Sequence, residues 1–169
     1  MNIGYACTPL KIHNKTTRTF TLKNYTEDKL IECIKYNLED LYEILKYNLS
    51  NDIYMFRISS DIIPFGSHEI NKLDWSSIFK EDFKKINDII TKNSIRISMH
   101  PGQYTVLNSK NLNTVEKSIS DLEYHAKFLD SISNDKSNKI IIKILAVNFI
   151  ALAFMSIIWF LGVGAAIIY

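Results

Sequence analysis

Four short apolar runs, at residues 3–7, 53–59, 95–99 and 140–144, are separated by stretches whose apolar residues recur every three or four positions. This alternation restricts the fold more than any other feature of the chain. Short apolar runs bounded by polar segments predict strands, and an Ile-rich run such as KIIIKI suits a parallel strand covered on both faces. The intervening stretches predict helices. Thr26 is placed as an N-cap, with Glu27 and Asp28 in the first turn favouring the helix dipole, and Leu30, Ile34, Leu38, Leu41 and Leu45 form the stripe behind it. A second helix carries Phe79, Phe83, Ile86 and Ile90 and stops near Asn93. A third is expected to begin at Asn113, with Glu116 in the capping-box position and a stripe of Val115, Ile119, Leu122, Ala126 and Leu129.

Such alternation predicts an α/β fold with a parallel sheet and helices outside it. About four strands and three helices amount to a partial (β/α)8 TIM barrel, since a whole one takes about 250 residues. Part of an open doubly wound sheet is the alternative. No Gly-rich turn follows the first strand, so a dinucleotide site is not expected.

Composition divides the chain into two. Every charged residue lies at or before Lys143, and after it only Tyr169 is ionisable. Residues 1–143 are therefore read as the folded domain and residues 144–169 as an apolar C-terminal segment. A membrane-spanning helix takes roughly 20 apolar residues, which this segment exceeds; a buried element of a globular core is the competing reading. The first residues, MNIGYACTPLKIHN, lack a basic region followed by an apolar one, so no secretory leader is expected. If the tail inserts, Lys136, Lys139 and Lys143 favour a cytoplasmic location for residues 1–143. A net charge of +2 neither requires nor excludes nucleic acid. Cys7 and Cys33 have no metal-type spacing and are read as free thiols.

In folds of this kind, chemistry gathers at the C-terminal edge of the strands. Tyr5 and Cys7 end the first strand. Arg57, Ser59, Ser60 and Asp61 end the second, whose loop holds Pro64, Phe65, Gly66, Ser67 and His68. The third runs into SMHPGQY, where His100 leaves the strand, Pro101-Gly102 turns the chain, and Gln103 and Tyr104 stand at the rim. A strand-end His is a ready ligand for a divalent metal, and His68 on the neighbouring loop strengthens that reading for His100. His13 is expected to be solvated and His125 to pack. Lys15, Arg18 and Lys23 are candidates for phosphate contacts or for a solvated basic loop.

The segments GYAC, TTRTFTLKN, NLEDL, FRISSDIIPFGSH, SMHPGQYTVLNS and DLEYHAKFLD, in this order and spacing, closely resemble the UV damage endonucleases over residues 1 to about 143. The resemblance implies a TIM-barrel DNA-repair enzyme, dependent on divalent metal (Mn2+ foremost), that nicks UV-damaged double-stranded DNA on the 5′ side of the lesion. It implies metal binding by His68 and His100. It also implies that Gln103 and Tyr104 enter the DNA where damaged bases flip out, and that Tyr5 lines the lesion pocket. A flat ring that stacks and an amide that bonds to unpaired base edges suit that task.

The pattern departs from the family at the fourth strand. Lys143 stands where the resemblance implies a further metal-binding histidine, and Leu145-Ala146 stand in place of a Gly-Gly turn. An ammonium at that position repels a metal cation. The sequence therefore predicts kinship with the endonucleases in a truncated form inactive on its own. The alternatives are a membrane-anchored, non-catalytic DNA-binding or scaffold protein, and an enzyme completed by a complementing chain or a homo-oligomer.

Overall fold

The first helix forms where its cap and stripe coincide. In the computed structural model, which describes residues 4–102 and 104–133 and the backbone of 139–140, the Thr26 side chain accepts the Lys29 backbone N–H at the start of helix α1 (Glu27–Leu49). Leu30, Ile34, Leu38, Leu41 and Leu45 are all buried. The strands are β1 (Gly4–Ala6), β2 (Met55–Ile58), β3 (Arg96–Met99) and β4 (Lys139–Ile140). They are shorter than the apolar runs that announced them. A short helix α2 (Trp75–Ile78) precedes α3 (Lys80–Lys92), and α4 (Leu112–Ile132) follows β3.

All four strands pair in parallel, in the order β1-β2-β3-β4. Sequential order has no point of reversal, unlike the doubly wound alternative. Phe56, Ile58, Ile97 and Met99 are buried on one face, where α1 packs on α3 and α3 on α4. Met55, Arg57, Arg96 and Ser98 alternate with them and line an open cleft of about 390 Å3 on the other face. Among the described residues, no helix is long and apolar enough to cross a membrane. The expected membrane helix over 144–169 lies outside the described residues.

Helix α4 corrects the sequence expectation twice. Its N-cap is Asn111, whose side chain accepts the Asn113 N–H, so the helix starts before Asn113. Its buried face is Ser118, Tyr124, His125, Phe128, Leu129 and Ile132, while Ile119 is exposed. An aliphatic count misplaced the stripe because this face is partly polar. Ser118 Oγ donates to the Thr114 carbonyl and His125 Nδ1 to that of Asp121, so both side chains enter the interior with hydrogen bonds made. The rings of Tyr124 and Phe128 meet Trp75, and Phe128 also meets Phe83 at 5.8 Å.

The long segment between β1 and α1 is held by two side chains of α1. Asn37, fully buried, accepts the Arg18 N–H and donates to the carbonyls of Arg18 and Ile62, each at 3.0 Å. One turn on, Asp40 takes the Lys15 N–H at 2.8 Å, the Asn14 amide at 2.6 Å and the Arg18 guanidinium at 2.5 Å. Partial burial pushes the Asp40 carboxyl up, but these three donors outweigh it and hold the group below its ordinary value of 3.8.

Two outcomes follow for stability. Asn37→Ala strands one buried N–H and leaves two carbonyls short of a donor, and should lower the unfolding free energy by about 2–4 kcal/mol, read from urea denaturation. A depressed carboxyl pKa contributes stability above the unfolded value and loses it as pH falls through the folded value. The stability gap between the natural chain and Asp40→Asn should therefore be full well above pH 3.8 and close on acidification below it. A gap independent of pH would show that the Asp40 carboxylate is not held.

Candidate nucleic-acid interface

The rim is shaped by how each strand ends. Cys7 turns the chain at φ 62° after β1 while its N–H bonds the Arg57 carbonyl at 2.8 Å. After β2, Ser59 Oγ accepts the Asp61 N–H and starts a 3-10 turn, Ser60–Ile62. Phe65 then takes a left-handed conformation at φ 57°. Its ring meets Phe20 and Tyr25 edge-on at 5.3 and 5.8 Å, with the His68 ring beyond it at 6.3 Å. After β3, the Thr105 N–H bonds the Gly102 carbonyl at 3.1 Å and closes a tight turn.

His100 fits a metal ligand. Its Nδ1 lies 2.6 Å from the Pro101 carbonyl, which can only accept, so Nδ1 carries the proton and Nε2 the free lone pair. That Nε2 is buried with no hydrogen-bond partner. A carbonyl fixing the tautomer from behind is the usual support of a metal-binding imidazole. His68 is placed differently: it is exposed, and its Nδ1 accepts the Ile70 N–H at 3.1 Å. In the neutral ring the remaining proton is then on Nε2, so His68 offers a lone pair only after its ring turns over. Among the described residues, no three His, Cys, Asp or Glu side chains come together.

Tyr104 stands on the Gly102–Thr105 turn and is 82% exposed. An apolar ring so fully in water is available to stack on a flat partner. Gln103 lies outside the described residues. Tyr5 is not brought to this rim. It shares the helix-facing side of the sheet with Phe56, whose ring it meets at 5.1 Å, and its hydroxyl donates to Asn48 of α1 at 2.7 Å. Burial raises the Tyr5 pKa, with the Asn48 bond acting in the opposite direction.

The other candidates separate cleanly. Arg18 is committed to Asp40 and to the Lys15 carbonyl, so its charge is already paired. Lys15, Lys23 and His13 are exposed. His125 is fully buried, as a packing residue should be, although its Nε2 has no partner.

Residues of α4 without a role in the sequence reading hold the rim together. The Tyr124 hydroxyl donates to the Ser60 carbonyl at 2.7 Å and accepts the Ile63 N–H at 3.3 Å. Complete burial pushes its pKa far above the ordinary value, which keeps it a neutral donor and acceptor. Ser60 Oγ in turn donates to the His100 carbonyl at 3.1 Å. Asp121 accepts from Ser67 and from Thr105. The signal available in the sequence was the spacing of Asp121, Tyr124 and His125, which places polar groups on one helical face.

Comparison with known proteins agrees with this geometry. A UV DNA damage endonuclease of Clostridium perfringens is 51% identical over 144 residues, covering 85% of this chain and 35% of that protein. Enzymes of the same name from Bacillus cereus are 35% identical over 126 residues, covering 75% of this chain and 40% of theirs. The crystal structure of SacUVDE superposes with a TM-score of 0.80 at 41% identity, over 84% of this chain and 48% of that one. The chain thus spans between about a third and a half of the relatives it matches. With the family profile matched over residues 1–147, the chain belongs to the family of the UV-endonuclease UvdE.

Proposed function

We propose that residues 1–143 form the DNA-facing half of a UV DNA damage endonuclease fold, which reads damaged duplex DNA through the loop from His100 to Tyr104. The observation that carries this reading is the pairing, within five residues of one loop, of an exposed aromatic ring with a buried, unpartnered imidazole nitrogen. Tyr104 and Gln103 fill the space left by flipped-out bases, and stacking of this kind contributes roughly 1–3 kcal/mol per base.

His100, joined by His68 once its ring turns, would hold a divalent ion such as Mn2+, which supplies an activated water and stabilises the leaving oxygen in phosphodiester cleavage. Two histidines make a weak site, and Lys143 at the next position of the family pattern weakens it further. The four-stranded sheet, with its open polar face, is half of a TIM barrel that needs the other half beside it. A complementing chain or a second copy would supply that half and the remaining ligands. This chain alone binds without nicking.

The test compares UV-irradiated with untreated duplex, for binding and for nicking in Mn2+. The purified chain should bind the irradiated duplex more tightly and leave it uncut. Tyr104→Ala should reduce that preference by about tenfold, in line with the loss of one stacked base. Robust nicking by the chain alone would overturn the non-catalytic part, and equal affinity for both duplexes would overturn lesion reading.

The apolar residues 144–169 favour a second reading, in which the same half-barrel is tethered to a membrane with residues 1–143 in the cytoplasm. Fractionation with an alkaline wash should then leave the chain in the membrane pellet. Complete recovery in the soluble fraction would exclude the tether.

A further inference from the structure

We infer that Asp121 is a positioning residue that sets the spacing between the His68 loop and the Tyr104 loop, so that lesion preference is governed from the outer helix; this rests on the DNA-facing role proposed above. Each carboxylate oxygen of Asp121 takes one hydroxyl. Oδ1 accepts from Ser67 Oγ at 3.2 Å and Oδ2 from Thr105 Oγ1 at 2.6 Å. Ser67 directly precedes His68, and Thr105 directly follows Tyr104. One side chain therefore stands a single residue from each functional group.

The neighbouring turns of α4 make this a built arrangement. Ser118, a turn earlier, accepts the Val106 N–H at 2.8 Å while its own hydroxyl donates to the Thr114 carbonyl at 2.7 Å. Tyr124, a turn later, holds the Ser60 carbonyl, and Ser60 Oγ reaches the His100 carbonyl. A Cβ on Gly66 would fall 2.3 Å from the Tyr124 ring, so the His68 loop lies flat against the same helix. Between the two loops runs a cleft of about 480 Å3 that Asp121 lines together with Ser67, Thr105 and Lys117. A short side chain with two polar atoms at its end spans this gap. Asn retains the bridge, because its oxygen accepts one hydroxyl while its amide donates to the other. Ala breaks both arms.

Amide exchange tests the bridge without DNA. Asp121→Ala should speed exchange by about tenfold in both loops, residues 66–68 and 104–106, the size expected for charge-assisted bonds lost from each. Thr105→Val should loosen only the second loop and Ser67→Ala only the first, and these two milder variants carry the test if Asp121→Ala does not fold. Asp121→Asn should restore both. A response confined to one loop in Asp121→Ala, or to both loops in a single-arm variant, would overturn the proposal. Binding supplies the second readout. The ratio of affinities for irradiated and untreated duplex should fall at least severalfold in Asp121→Ala and recover in Asp121→Asn, whereas equal weakening on both DNAs would mark a merely structural role. If the natural chain shows no preference for irradiated DNA, the proposed function fails while the exchange result still judges the bridge.

Discussion

Tyr124 ties the outer helix α4 to the loops at the C-terminal ends of the strands. Its ring is buried between Trp75 and the Gly66 backbone, and its hydroxyl joins the Ser60 carbonyl to the Ile63 N–H across a turn that no strand or helix ladder satisfies. Buried backbone groups left unpaired cost about 1–3 kcal/mol each, so this turn would not keep its shape without such a partner. Because Ser60 also reaches the His100 carbonyl, the phenol fixes the base of the metal-ligand candidate through one intermediate residue. The rim thus inherits its geometry from helix packing rather than from its own loops.

The sheet imposes a second constraint. Its helix side is a finished core, with Phe56, Ile58, Ile97 and Met99 fully covered, but its other side presents Arg57 and Arg96 beside Ser98. Arg57 Nε is buried without a hydrogen-bond partner. Arg57 is half-buried and Arg96 exposed on this open face, so both guanidinium groups are free to take carboxylate or phosphate partners. The relatives are more than twice as long as the portion matched.

Most of the fold was legible because its local signals agree with one another. Thr26, the acidic first turn and the spacing of the α1 leucines all name the same helix, and the short apolar runs could pair only in parallel once helices lay between them. Helix α4 was legible in existence but not in orientation, because Ser118 and His125 hide polar atoms inside local hydrogen bonds that a hydropathy pattern cannot see. The place of His100 just after β3 was readable from the apolar run before it and the Pro-Gly turn after it. The state of His68 was not, since the Ile70 N–H that occupies its Nδ1 is a product of loop geometry. The side taken by Tyr5 was not legible for a simpler reason: successive residues of a strand face opposite ways, and only the register with Phe56 shows that Tyr5 looks toward α1.

Loop strain shows where stability has been invested. Phe65 sits at φ 57°, a conformation that costs a bulky residue on the order of 1–3 kcal/mol. The edge contacts of its ring with Phe20 and Tyr25 return roughly 0.5–1.5 kcal/mol each, which is enough to hold it there. Gly66 beside it has no room for a side chain against Tyr124. A glycine at position 65 would relieve the backbone but release the aromatic cluster, and a residue at 66 would push the loop off the helix. The two positions therefore constrain each other in opposite directions, and their product is the placement of Ser67 against Asp121, with His68 next in the chain.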